Sequence, residues 1–129
     1  MVEHRRRELE LLRQKYGEVD ADPDVTWIRI LSFPLPAGWS KQLCQLIVTV
    51  PPGYPITPPD NFYLEQGVTL ASGAQPGNSS PGQQLNGSTW TIFSYHVEAG
   101  TWRPNADIGR GHNLITYVEG IEARLREAT

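Results

Sequence analysis

Apolar residues recur at helical spacing at both ends of the chain and alternate with polar ones between. Leu9, Leu12 and Tyr16 stand three and four apart among charged neighbours, which predicts a helix over 3–16 stopped by Gly17. An acidic connector of Glu18, Asp20, Asp22 and Asp24 follows, interrupted by Pro23. The β-branched and aromatic residues Val25, Thr26, Trp27, Ile28, Ile30 and Phe33 predict a strand over 25–35, ended by Pro34 and Pro36. After a turn at Ala37-Gly38-Trp39-Ser40, strict alternation predicts a second strand over 42–50. Cys44, Leu46, Val48 and Val50 share one face, Leu43, Gln45, Ile47 and Thr49 the other, so Cys44 points into the core. A third strand is expected over 61–66, giving an antiparallel sheet of at least three strands.

The next stretch has little to bury. Gly67, Gly73, Gly77, Gly82 and Gly87 alternate with Ser, Gln, Asn and proline, which predicts a long, flexible, irregular loop over about 66–89. One more extended segment is expected over 89–95 and a turn at Trp102-Arg103-Pro104. A closing helix is expected over 113–126, with Leu114, Tyr117, Val118, Ile121 and Leu125 on one broad face. The fold class is α+β, and 129 residues make one domain, 1–129.

Charge and cysteine content narrow the possible roles. Fourteen acidic against 11 basic side chains leave a net charge of -3, without the basic excess that supplies nonspecific nucleic-acid affinity. Arg5, Arg6 and Arg7 are offset by Glu3, Glu8 and Glu10, so no nucleic-acid partner is expected. The chain's one cysteine forms no internal disulfide and no paired-thiolate zinc site, which fits a cytoplasmic protein. No apolar run is long enough to cross a bilayer and the first residues lack an apolar leader, so no membrane partner is expected. No cofactor and no metal are called for.

The densest signal is Pro51-Pro52-Gly53-Tyr54-Pro55-Ile56-Thr57-Pro58-Pro59, five prolines in nine positions between two strands. Each proline fixes its own φ and holds the preceding residue extended, making a stiff connector. Helix, strands and a Pro-x-x-Tyr-Pro-x-x-Pro-Pro segment resemble the ubiquitin-conjugating-enzyme (UBC) superfamily, which includes catalytically inactive variants and RWD domains. Within it the chain is most similar to bacterial UBC-like proteins. Trp102-Arg103-Pro104 is similar to that family's Trp-Ser-Pro turn, while the family's last two helices find no counterpart. The resemblance implies a bacterial ubiquitin-like modification pathway, with a ubiquitin-like modifier or its adenylating enzyme as partner.

It also implies a thioester cysteine following a His-Pro-Asn segment and several residues before the Trp-x-Pro turn. Residues 91–101 hold neither a cysteine nor that segment, and Cys44 lies upstream on a strand face. The expectation is therefore a non-catalytic variant that binds its partner noncovalently. Two alternatives stay open. Ser94, at about the nucleophile's place, with His96 two residues on, would be an unusual transferase pair, or Ser94 stands in for a cysteine. His96, Asp107 and His112 would be the ligands of a small metal-dependent hydrolase. By resemblance, the first helix, with His4, Arg5, Arg6 and Arg7, is the face that docks the adenylating enzyme; from charge alone it is an ordinary solvated face. Tyr54, Pro55 and Trp102 complete the expected binding residues. His112 and Asn113 are expected to cap the last helix and Asp107 to bind nearby amides.

Overall fold

A computed structural model describes residues 2–97 and 100–127. The order is helix α1 (Val2–Tyr16), strands β1 (Val19–Ala21), β2 (Trp27–Pro34), β3 (Leu43–Thr49), β4 (Asn61–Glu65), β5 (Ser79–Leu85) and β6 (Ser88–Ser94), a 3₁₀ turn (Ile108–Arg110) and helix α2 (Leu114–Glu127). The strands form one antiparallel sheet in the order β1-β2-β3-β4-β6-β5. This is the α+β arrangement expected, with both predicted helices and the meander in place.

Alternation places the core. Ile28, Val48, Phe62 and Phe93 stand side by side across four strands, as do Ile30, Leu46 and Leu64, and all are buried. Leu9 and Leu12 of α1 and Leu114, Tyr117, Val118, Ile121 and Leu125 of α2 close over that face. Phe62 and Phe93 stack at 4.9 Å and 5°, and Tyr95 meets Phe62 edge-on at 6.2 Å. The Trp39 Nε1–H donates to Leu125 O at 3.0 Å, satisfying a carbonyl that the end of α2 leaves without a helical partner.

Three local expectations change. The first long strand begins at Trp27, because Val25 lies at φ 52°, a left-handed conformation costly for a β-branched residue. Burial of Val25 and the Asp22 carboxylate, which accepts from Thr26 N at 2.6 Å and Trp27 N at 3.2 Å, hold that corner. Inside the acidic connector, Val19–Ala21 forms β1, paired with Ile28–Ile30. The segment expected to be irregular is so over 66–78, but from Ser79 it becomes β5, hairpinned to β6 through Asn86-Gly87. Both turn residues have positive φ, 51° and 79°, the geometry that matches strand twist in a two-residue hairpin.

Asn113 caps α2. Its Oδ1 accepts from Thr116 N at 3.0 Å while Thr116 Oγ1 accepts from Asn113 N at 2.9 Å, a reciprocal capping box. Asn113→Ala is expected to cost about 1 kcal/mol, read as a lower urea midpoint with unchanged slope. His112 takes no part in the cap; its Nδ1 accepts from Arg103 N at 2.7 Å.

Candidate functional site

Strand β6 delivers Ser94 and His96 to one corner of the sheet. Ser94 pairs in register with Asn61, and its N–H donates to Asn78 O at 3.1 Å. Tyr95 N donates to Asp60 O, so the chain leaving β6 is pinned to the residue that precedes β4. That register brings the His96 ring onto the Asp60 carboxylate through Nδ1. His96 is 66% exposed, and with Ser94, Asn78, Arg124 and Glu127 it lines a cleft of about 470 Å³ beside α2. Among the described residues no hydrogen bond joins Ser94 to His96, and the serine hydroxyl lacks the bonded base that activation requires. Asp60 was not singled out in the sequence. Its signal is positional, the residue just before a strand that pairs with the candidate segment.

The thiol lies elsewhere. Cys44 is 2% exposed on the core face of β3, opposite Phe33, and burial with the nearby Glu65 carboxylate pushes it up to about 12. At neutral pH it is protonated and enclosed, unable to attack an acyl group. The residues of the metal-dependent reading serve three separate purposes. His96 meets Asp60, Asp107 accepts from Gly109 N at 3.0 Å, and His112 stacks on Trp102 at 5.4 Å. Among the described residues no group of three or more His, Cys, Asp or Glu is placed to hold a metal ion.

The proline turn is built inward. Its Tyr54–Pro55 bond is cis and Tyr54 is 3% exposed, with its hydroxyl donating to Glu8. Trp102 Nε1–H donates to Pro55 O at 2.7 Å and its ring lies 6.4 Å from that of Tyr54. Arg5 sits 5.9 Å over the Tyr54 ring and reaches Pro51 O, Asp24 O and Val25 O at 3.4–3.5 Å. Tyr54, Pro55, Trp102 and Arg5 therefore tie α1, the proline turn and the segment before α2 to one another. Arg6 and Arg7 are the exposed members of the basic run.

A concavity of about 790 Å³ runs between α1 and the start of α2. Leu11, Ile108 and Ile115 give it apolar lining, and His4, Arg7, Lys15 and Asp107 its titratable groups. Lys15 is held by Glu119 at 2.8 Å, whereas Arg7 has no ion pair among the described residues. Helical spacing placed Leu9 and Leu12 correctly but gave no hint of this groove, because Ile108 and Ile115 reach it only through the fold.

Next along α1 from the groove-lining Arg7 is Glu8, wholly buried. Its Oε1 accepts from Leu114 N at 2.9 Å and from the Tyr54 hydroxyl, and its Oε2 lies 3.3 Å from His4 Nδ1. Burial raises its carboxyl above the ordinary range, against the opposing pull of Tyr54, Leu114 and His4.

Comparison with protein families matches residues 2–128 to a model described as Prokaryotic E2 family E. No curated protein and no solved structure matches the chain.

Proposed function

Because the chain belongs to prokaryotic E2 family E, matched over residues 2–128, we propose that it acts in a bacterial ubiquitin-like modification pathway as a noncovalent binding member. The observation that carries this reading is the position of its one thiol. Cys44 is enclosed in the core, while the end of β6 and the residues just after it, where a conjugating enzyme holds its thioester cysteine, present Ser94 and His96 without a bond between them.

The groove between α1 and α2 supplies the binding surface. Its apolar lining, with the exposed Arg7 beside it, is complementary to an acidic, apolar segment of an adenylating enzyme or a modifier. A charge beside such a groove acts on association rate and selectivity more than on buried contact, so reversing one weakens docking without unfolding the protein.

Incubation with the cognate adenylating enzyme, modifier and ATP is expected to leave no hydroxylamine-sensitive adduct on the protein, while the partner co-purifies with it. Arg7→Glu is expected to weaken that capture by about tenfold. The oriented His96–Asp60 pair favours the competing reading of an active transferase. An adduct that forms on the wild type and disappears in Ser94→Ala would establish that reading and overturn the noncovalent one.

A further inference from the structure

The β5–β6 hairpin ends in a tip that little else in the fold holds. The last pairing of β4 with β6 is Glu65 to Trp90, so among the described residues Ser88 and Thr89 have β5 as their only strand partner. On the β5 side the register breaks between Ser80 and Gln83, at Pro81-Gly82, and only Gln83, Gln84 and Leu85 pair beyond the break. Two further bonds close the tip: Gln84 Nε2–H donates to Thr89 Oγ1 at 2.8 Å and Trp90 Nε1–H to Leu85 O at 3.1 Å. Two strands alone make a marginal ladder, so this tip opens at far less cost than the sheet. At its end stand Asn86 and Gly87, both exposed and both at positive φ. A Cβ placed on Gly87 would meet nothing within 4 Å, and the Asn86 side chain has no partner among the described contacts.

We propose that Asn86 is a site of spontaneous conversion to aspartate and isoaspartate, reached when the hairpin tip opens. Opening frees the backbone to rotate and lets the Gly87 nitrogen approach Asn86 Cγ, with no Cβ on the glycine to block it. A bond forms from that nitrogen to Cγ, the Cγ–Nδ2 bond breaks, and Nδ2 leaves as ammonia with the proton given up by the Gly87 N–H. Water then opens the cyclic imide. Cleavage at Cγ restores the chain with aspartate at 86; cleavage at the main-chain carbonyl leaves isoaspartate, with one extra carbon in the main chain. Either product takes the net charge one unit below -3. Aspartate suits the same two-residue turn as asparagine. Isoaspartate does not, because the added carbon lengthens a connection whose length sets the Leu85–Ser88 register. The other four asparagines are placed differently. Asn61, Asn78, Asn105 and Asn113 precede Phe62, Ser79, Ala106 and Leu114, each with a side chain on the attacking residue. Asn105 Oδ1 also accepts from Asp107 N, Asn113 Oδ1 accepts from Thr116 N, and Asn61 is paired with Ser94 inside the sheet.

Peptide mapping by mass spectrometry of the whole protein, after incubation at neutral and at mildly alkaline pH, tests this. Amide-to-acid conversion is expected first at residue 86, about tenfold faster than at any other asparagine, equivalent to about 1.4 kcal/mol of barrier. The rate is expected to rise with pH, since the Gly87 nitrogen attacks after losing its proton. It is expected to rise again in urea below the unfolding transition, which favours the open tip. Asn86→Gly, which keeps a positive-φ turn, is expected to abolish the signal. In the isoaspartyl form the Trp90 indole N–H is expected to lose its protection from hydrogen exchange, because its acceptor Leu85 O leaves with the tip. Conversion led by another asparagine, or a residue 86 that stays intact while a synthetic peptide of residues 84–89 converts, would overturn the site. A rate indifferent to urea would overturn the opening step, and an unchanged Trp90 indole would overturn the release of the tip.

Discussion

Truncating Glu8 to alanine is expected to cost about 3–5 kcal/mol of folding stability, whereas Glu8→Gln is expected to keep most of it. The carboxyl is wholly buried and joins three elements: α1 carries it, the proline turn sends it the Tyr54 hydroxyl, and α2 sends it the first free N–H of the helix, from Leu114. Alanine leaves that hydroxyl and that amide without an acceptor inside the protein, and opens a cavity at a wholly buried position. Glutamine retains an oxygen for both donors and turns an amide toward His4 Nδ1. The pH dependence has a definite sign. Burial raises the Glu8 carboxyl in the folded protein above its ordinary value of 4.5, so the folded state favours the proton. Its contribution is fully present below about pH 4.5 and is lost as pH rises through the folded value. Urea unfolding across pH 4.5 to 8 should therefore show the wild type losing stability relative to Glu8→Gln as pH rises. A wild type that instead gains stability relative to Glu8→Gln as pH rises would refute the assignment.

That Glu8 is the keystone of three elements was not legible in the sequence, and the reason is physical. Hydropathy assigns a glutamate to the solvated side of α1, and only the meeting of Tyr54 with the start of α2 makes its burial tolerable. Residues whose role follows from periodicity were read correctly. Leu114, Tyr117, Val118, Ile121 and Leu125 are all buried on one face of α2, as are Cys44, Leu46, Val48 and Val50 along β3 and the residue after it. Ile47 shows the limit of alternation: it points away from that core, registered between Arg29 and Tyr63, yet is fully buried. Strand β5 was missed because Ser-Ser-Pro-Gly-Gln-Gln-Leu has neither β-branched residues nor an apolar face; Asn86-Gly87 was the signal available. The candidate corner was found by resemblance, through Ser94 and His96. Its third member, Asp60, is placed by strand register, which no one-dimensional pattern displays.

The second large effect is expected at Gly120, in the middle of α2. Intrinsic propensity favours alanine over glycine inside a helix by about 1 kcal/mol, so a surface view predicts that Gly120→Ala stabilises. The structure predicts the opposite, a loss of about 1–3 kcal/mol, because an added Cβ would overlap the Tyr95 hydroxyl and come within 3.2 Å of Cζ. A side-chain end normally gives way cheaply, but the Tyr95 ring is held. It packs 5.0 Å from Tyr117 and 6.2 Å from Phe62, while Tyr117 Oη donates to the Tyr95 carbonyl at 3.0 Å. The clash sits mainly on one oxygen, which makes the argument separable. In Tyr95→Phe the oxygen is gone, so adding Gly120→Ala to that background should cost little or nothing, and the two changes should be strongly non-additive in a double-mutant cycle. The cycle also reports on the candidate corner, since Tyr95 stands between Ser94 and His96 and lines the same cleft. A ring displaced by Gly120→Ala should move the His96 resonance, and the double variant should restore it. Equal costs for Gly120→Ala in the two backgrounds would show that Tyr95 does not set the packing of this corner against α2.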